Sequence, residues 1–550
     1  MRALDNLEEF SQRCIDLTKQ LVAIPSMNST EGEYEISLFI DKWIQKLPYF
    51  QNHPELVFGQ SLEDRYHRRN VIAVVMGKGD ATVIVHGHLD TVDVENMGEL
   101  KPYAFDCDAL LQKMKELSYD EETDADLKSG SYMVGRGVCD MKSGIALGMQ
   151  LLAFYAEHVD ELSGNFIFMA NPGEELTHSG IIKSLESLVD IRDRWHIQYK
   201  AAISLDCSNP HYIGDKNHYF YYGTVGKLLP CFYILGKETH IGQCFAGIDA
   251  SMVAARIINA IHMNMKYADE YGGELSLPPS LLRYEDNKTH YSVNTSAWAY
   301  IYFNFLVYRQ TAAELLHQLK TDTELMISQM IKELEESYEM HCKANNREYQ
   351  PLHYSMKILL YEELYQEAKE KCEDIDKNID SWINPLLVEE KDSRDIGKIL
   401  VQNLLKICGY TENVIVLFLA HPFMPHSTLR AEECTENELR EKLDGIVDAF
   451  NRENELNVKP VYFYPSLSDS SYLKMDDDRE AVKFTMKNLV GGEKIQEIPF
   501  DLIKALNIPA MNMGCYGKDP HRNTERLETA FSFQKLPMLI TQVIDAIMKN

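Results

Sequence analysis

Residues 83–91 read VIVHGHLDT, an apolar run that ends in two histidines and an aspartate at alternate positions. Side chains of an extended strand point to opposite faces in turn, so His86, His88 and Asp90 are expected on one face. Three titratable groups gathered where a buried strand ends mark the place where chemistry is to be sought.

Working outward, the run NVIAVVM (70–76) precedes it across the turn residues GKGD, and helices are expected around 5–22 and 31–46. A long helix follows Asp140, then come the run GNFIFMANP (164–172), another helix and AAISLD (201–206). Strands separated by helices predict a doubly wound α/β sheet. After about residue 215 the texture changes. LLPCFYILGKE, ASMVAARIINAIHMNM, SAWAYIYFNFLVY, the helical stretch 312–340 and HYSMKILLYEE follow one another. They predict a separate α+β unit in strand-helix-strand-strand-helix-strand order, inserted within the first domain. The α/β texture returns from about 390 with NVIVLFLA, KPVYFYP and a terminal helix. The expected organisation is a first domain segment 1–214, an inserted unit 215–365 and a second domain segment 366–550.

The bulk properties narrow the class. A chain of 550 residues exceeds what one hydrophobic core usually supports. No run of about 18 uncharged apolar residues is present, and the start MRALDNLEEFSQRCIDLTKQL is amphipathic and acidic, which argues against membrane insertion and secretion. Eleven scattered cysteines with no CxxC pair fit a reduced, cytoplasmic protein. A formal charge of −29 without a basic stripe argues against a nucleic-acid partner.

Five stretches each place His, Asp or Glu after an apolar strand or in a Gly/Pro-containing loop: HGHLD (86–90), GRGVCDMKSG (135–144), NPGEEL (171–176), ISLDCSNP (203–210) and GKDPHRNTERLE (517–528). Ligands of open α/β sheets collect at the carboxyl ends of strands, so groups hundreds of residues apart can converge there. Several carboxylates brought together without a cation repel one another. A mixed imidazole and carboxylate set suits zinc, manganese or cobalt. Each stretch alone has a plainer explanation: Asp140 as a helix cap, Glu174 and Glu175 as complements to a helix N-terminus, Asp206 as a turn residue, His521 in a solvated loop. Their joint occurrence in this order is harder to dismiss.

The constellation resembles the cocatalytic dizinc peptidase family that includes aminoacylase, carboxypeptidase G and succinyl-diaminopimelate desuccinylase. The residues that carry the likeness are GHLDTV, GRGVCDMKSG, GEEL, LD followed by a proline, the terminal G…HRNTERLE and the early LVAIPSMNSTEGE, and it spans about residues 12–535. Within the family, the length and YPSLSDSSYL (464–473) are most similar to the RocB-type arginine-utilisation proteins. The resemblance implies a zinc-peptidase-like doubly wound mixed sheet with helices on both faces, plus an inserted ferredoxin-like lid and dimerisation domain.

It also implies two divalent metal ions, zinc with cobalt or manganese as alternatives. His88 and Asp206 would hold one, Glu175 and His521 the other, and Asp140 would bridge them. Asp90 would orient His88, Glu174 would be the general base, and His86 matches no ligand position. His240, in GKETHIGQCFAGIDA, would reach a neighbouring subunit's site in a homodimer formed through the lid, and Arg309 would meet a substrate carboxylate. The implied activity is hydrolysis of an amide bond in a small peptide or N-acyl amino acid, with a place in arginine or ornithine catabolism. A catalytically silent amino-acid-binding or sensing protein on the same fold, and a related aminopeptidase, are the alternatives. Departures from the compact family pattern are Ser143 before Gly144, the acidic loop SYDEETDADLKSG within the extra segment 97–130, the long helix at 311–344 and the added segment 366–455.

Overall fold

The computed structural model describes residue 4 and residues 6–549. The chain divides into two compact units: Met1–Val225 with Ser427–Met475 and Pro499–Asn550, and Gly226–His426 with Asp476–Ile498.

The first unit is built on an eight-stranded sheet. Its strands lie in the order Val57–Ser61, Arg69–Met76, Asn165–Asn171, Ala81–His88, Gln198–Ser204, Ala510–Asn512, His218–Tyr221 and Val458–Val461. Ala81–His88 is buried at every residue and runs parallel to both its neighbours. That double burial is why its sequence is a continuous apolar run rather than an alternating one. Antiparallel pairs on one side and a single antiparallel step on the other make the sheet mixed. The helix Ser143–Glu157 is buried along almost its whole length, which its apolar composition allows.

The acidic stretch before Asp140 is folded rather than looped. Asp106 and Asp120 cap the helices Cys107–Met114 and Glu121–Ser129 through the N–H groups of Ala109 and Thr123. These helices close over a small core of Met97, Leu100, Leu110, Met114, Leu127 and Val134. The outward acids are used locally: Asp126 accepts from Lys518 and Arg526, each at 2.8 Å.

The second unit is larger than the 215–365 insertion read from the sequence. Its five-stranded sheet runs Ser280–Asp286, Trp298–Val307, Gly226–Leu235, Val414–Met424 and Lys357–Leu360. The expected strand-helix-strand-strand-helix-strand succession is present, with helices Ala250–Ile261 and Ala312–Ala344. NVIVLFLA, expected in the first domain, instead pairs antiparallel with Gly226–Leu235 and parallel with Lys357–Leu360, so it fills the space between the first and last strands of that pattern. The helix Ser393–Cys408 packs its Ile396, Leu400, Leu404 and Leu405 into the same core. The segment 366–426 therefore belongs to the second unit because its apolar faces complete that unit's core. Among the described residues, no helix is long and apolar enough to cross a membrane.

Candidate metal centre

Three adjacent parallel strands of the first unit end side by side, at Asn171, His88 and Ser204. The residues that follow them carry Glu174 and Glu175, Asp90, and Asp206. Asp140 enters from the turn that opens the helix Ser143–Glu157. That turn requires Gly137, whose φ of 77° is left-handed and whose Cβ would meet Thr91 Cγ2 at 2.4 Å. His521 comes from the loop between the short strands Gly517–Lys518 and Arg526–Glu528.

These side chains meet. His88 Nε2 lies 2.9 Å from Asp140 Oδ1 and 4.0 Å from Asp206 Oδ1. His521 Nε2 lies 3.1 Å from Asp140 Oδ2 and 3.0 Å from Glu175 Oε1. His88, Asp140 and Asp206 form one group able to hold a metal ion, and Asp140, Glu175 and His521 another, so Asp140 is common to both. Glu174 Oε2 stands 4.0 Å from His88 Nε2.

Asp90 does more than face His88. The His88 Nδ1 contact is shortest to the Asp90 main-chain oxygen, at 3.1 Å, with the Asp90 carboxylate 3.7 Å away. That carboxylate accepts the main-chain N–H groups of Glu174 and Glu175, each at 3.1 Å. It thereby fixes the turn that aims both glutamates. His86 belongs to neither ligand group, and its Nε2 lies 3.2 Å from Ser470 Oγ.

The electrostatics suit a cation. Burial pushes the carboxyls of Glu174, Glu175 and Asp206 above the usual carboxylate range, and like charge from their neighbours adds to it. Burial works against charging Asp140 as well, but hydrogen bonds from His521 and His88 hold it below that range. His521 is pushed up to about 11 by its hydrogen bonds to Asp140 and Glu175. His88 is held well above the histidine range by Glu174 and Asp140 although burial opposes its charge. Four carboxylates thus share two imidazoles, an excess of negative charge that divalent ions would offset. The oxygen and nitrogen donors match zinc, manganese or cobalt, so the residues present fit the expected ions.

A third buried group was not legible as such. His178 Nδ1 lies 3.0 Å from Asp469 Oδ1 and 3.9 Å from Glu174 Oε1. The sequence signal was the polar run SLSDSSY, of which Ser468 to Tyr472 are all 3% exposed or less. His240 and Arg309 belong to the second unit. His240 is exposed, and its Nδ1 accepts the N–H of Gly242 at 3.0 Å. Arg309 is exposed after the strand Trp298–Val307, with its main-chain N–H on Asp269 Oδ2 at 2.7 Å.

Comparison with known proteins follows the same lines. Residues 84–377 match the model of peptidase family M20/M25/M40. The chain is 36% identical to protein RocB of Bacillus subtilis (strain 168) over 535 residues, 97% of this chain and 94% of that one. A tripeptidase from Staphylococcus aureus superposes with a TM-score of 0.52 at 12% identity, covering 98% of this chain and 99% of that one. An M20 family metallo-carboxypeptidase from Sulfolobus solfataricus does so with a TM-score of 0.53 at 11% identity, over 98% and 99%. At those identities the two structures establish a common fold. With the family match over more than half its length and a relative aligned along nearly all of it, the chain belongs to peptidase family M20/M25/M40.

Proposed function

We propose that the protein is a metal-dependent hydrolase that cleaves an amide bond in a small peptide or N-acyl amino acid. The observation that carries this reading is the meeting of His88, Asp140, Glu175, Asp206 and His521, from five separate segments, around a shared carboxylate with Glu174 beside them. His88 and Asp206 would hold one divalent ion, Glu175 and His521 a second, and Asp140 both. Such ions supply Lewis-acid polarisation of a carbonyl and acidification of water.

The chain's own residues do the rest. The Asp90 carboxylate holds the N–H groups of Glu174 and Glu175, so the two adjacent carboxylates face different groups. Glu174 takes the proton of the attacking water on its carboxylate and returns it to the leaving amine. Burial of Glu174, at 7% exposure, keeps bulk water from competing for that proton. His240 would stabilise the oxyanion in the site of a partner copy within a homodimer, and Arg309 would grip a substrate carboxylate through its planar fork. Zinc, a cytoplasmic setting and a role in arginine or ornithine breakdown complete the reading, the last supported by the likeness to RocB.

The test is hydrolysis of a panel of N-acyl amino acids and dipeptides, measured with bound metal and after chelation, for wild type and Glu174→Gln. Turnover that needs both metal and Glu174 is expected. Stoichiometric metal with no turnover of any substrate would overturn the hydrolase, and equal turnover by the two proteins would overturn the role of Glu174.

A further inference from the structure

His521 is the exposed member of the five proposed ligands, with a side chain 47% accessible against 15% or less for the others. Its backbone lies in the left-handed region at φ 65°. A residue with a Cβ keeps that conformation only where its surroundings hold it. The loop around it is tied at its flanks, Asp126 to Lys518 and Arg526 and Asp519 to Thr524 and Arg526, and the Arg522 N–H closes a turn on the Asp519 carbonyl, but none of these bonds reaches residue 521.

Asn96 does. Its Nδ2 donates to the His521 main-chain carbonyl at 2.6 Å, across 425 positions of sequence. The direction of that amide is set from behind, because its Oδ1 accepts from Arg136 Nη2 at 2.8 Å and the NH2 end must therefore face His521. Arg136 is itself held on several sides. It is 1% exposed, donates through Nε to the Asp93 carbonyl at 3.1 Å and pairs through Nη1 with Glu525 Oε2 at 2.7 Å. The other Glu525 oxygen accepts the N–H groups of Cys139 at 3.0 Å and Asp140 at 3.4 Å. One run of hydrogen bonds thus leads from the backbone of Asp140 through Glu525, Arg136 and Asn96 to the backbone of His521. Its two ends are the residues whose side chains stand 3.1 Å apart in the centre.

We propose that Asn96 is a positioning residue for His521: aimed by Arg136, its amide fixes the 521 carbonyl and with it the reach of the imidazole toward the ion shared with Glu175. The inference rests on the two-ion reading of the site. It assigns Asn96 no contact with substrate. Removing such a supporting partner typically costs about tenfold to a hundredfold in metal affinity. The loss should fall on one ion, because His88 and Asp206 are held by other contacts, the Asp90 carbonyl and the Cys207 N–H.

The experiment is calorimetric titration of the metal-free full-length protein with zinc, for wild type, His521→Ala, Asn96→Asp and Asn96→Ala. His521→Ala identifies the binding step to which residue 521 belongs. Asn96→Asp keeps the size of the side chain and an acceptor for Arg136 while losing the donor to the 521 carbonyl, and Asn96→Ala checks that an added charge is not the cause. Circular dichroism and thermal denaturation establish that each variant is folded. Both Asn96 variants are expected to weaken the His521 step by about tenfold to a hundredfold and to leave the other step within about twofold of wild type. Unchanged affinities in both variants, or equal losses at both steps, would overturn the proposal while the wild type still takes up two ions. A wild type that takes up no ion would overturn the two-ion reading and this proposal with it.

Discussion

Glu174→Gln separates catalysis from folding more cleanly than any other single change at the centre. The substitution preserves shape and leaves the main-chain N–H of residue 174 on Asp90. It deletes the carboxylate proposed to accept the water's proton, which lies 4.0 Å from His88 Nε2 and is assigned to neither ion. A positioned general base contributes about 10²–10⁴ in rate, or roughly 2.7–5.4 kcal/mol of barrier at 1.36 kcal/mol per decade. The effect on stability has the opposite sign. Burial and the charges of Glu175, Asp206 and Asp469 raise the Glu174 pKa well above the carboxylate range. A raised carboxylate contributes stability that is complete below its unfolded pKa of about 4.3 and is lost as pH rises through the folded value. Glutamine escapes that loss, so the metal-free variant should be at least as stable as wild type at neutral pH and above. The assay pairs kcat/KM on an accepted substrate with metal content and denaturant unfolding of the metal-free proteins. Turnover within tenfold of wild type would refute the general-base assignment. A variant that loses both metal and stability would show that the residue acts through structure.

Other consequences are as definite. Arg136→Ala leaves the buried Glu525 carboxylate without its partner at 2.7 Å, a loss of about 3–5 kcal/mol on chemical denaturation. Burial already pushes Glu525 up to about 7 with Arg136 present, and losing Arg136 raises it further, so the deficit should shrink as pH falls toward 7 and level off below it, where both proteins hold the carboxyl protonated. In Gly514→Ala the new Cβ would stand 1.5 Å from the Asp206 main-chain oxygen, which forces the strand end bearing Asp206 to move. A loss of about 1–3 kcal/mol is expected, with weakened metal binding seen by titration. In the metal-free protein the carboxylates push His521 up to about 11 and raise His88 above the histidine range, so loading should displace protons. Calorimetry in buffers of differing ionisation enthalpy should record at least one proton released per ion between pH 6 and 8, and an affinity that falls as pH falls; release near zero would contradict the ligand set.

Much of the centre was legible because it obeys local rules. Alternation along VIVHGHLDT put His88 and Asp90 together, and strand ends followed by Glu174 or Asp206 are where an α/β sheet gathers ligands. What escaped sequence reading depends on distant packing. NVIVLFLA is equally apolar in either sheet, and only its pairing with Gly226–Leu235 assigns it to the second unit. SYDEETDADLKSG looked like a loop because its few apolar residues are spaced too widely to reveal the core around Leu127, while its acids turn out to bind Lys518 and Arg526. The links between Asn96, Arg136 and Glu525 join residues up to 389 positions apart, a relation that no local period encodes.

The central claim is that five side chains of the first unit hold a pair of divalent ions. Anomalous diffraction from crystals of the protein loaded with zinc tests it directly. Two peaks per chain are predicted, one bounded by His88 and Asp206, the other by Glu175 and His521, with Asp140 between them. Peaks located elsewhere, or none at these residues in fully loaded protein, would contradict the account.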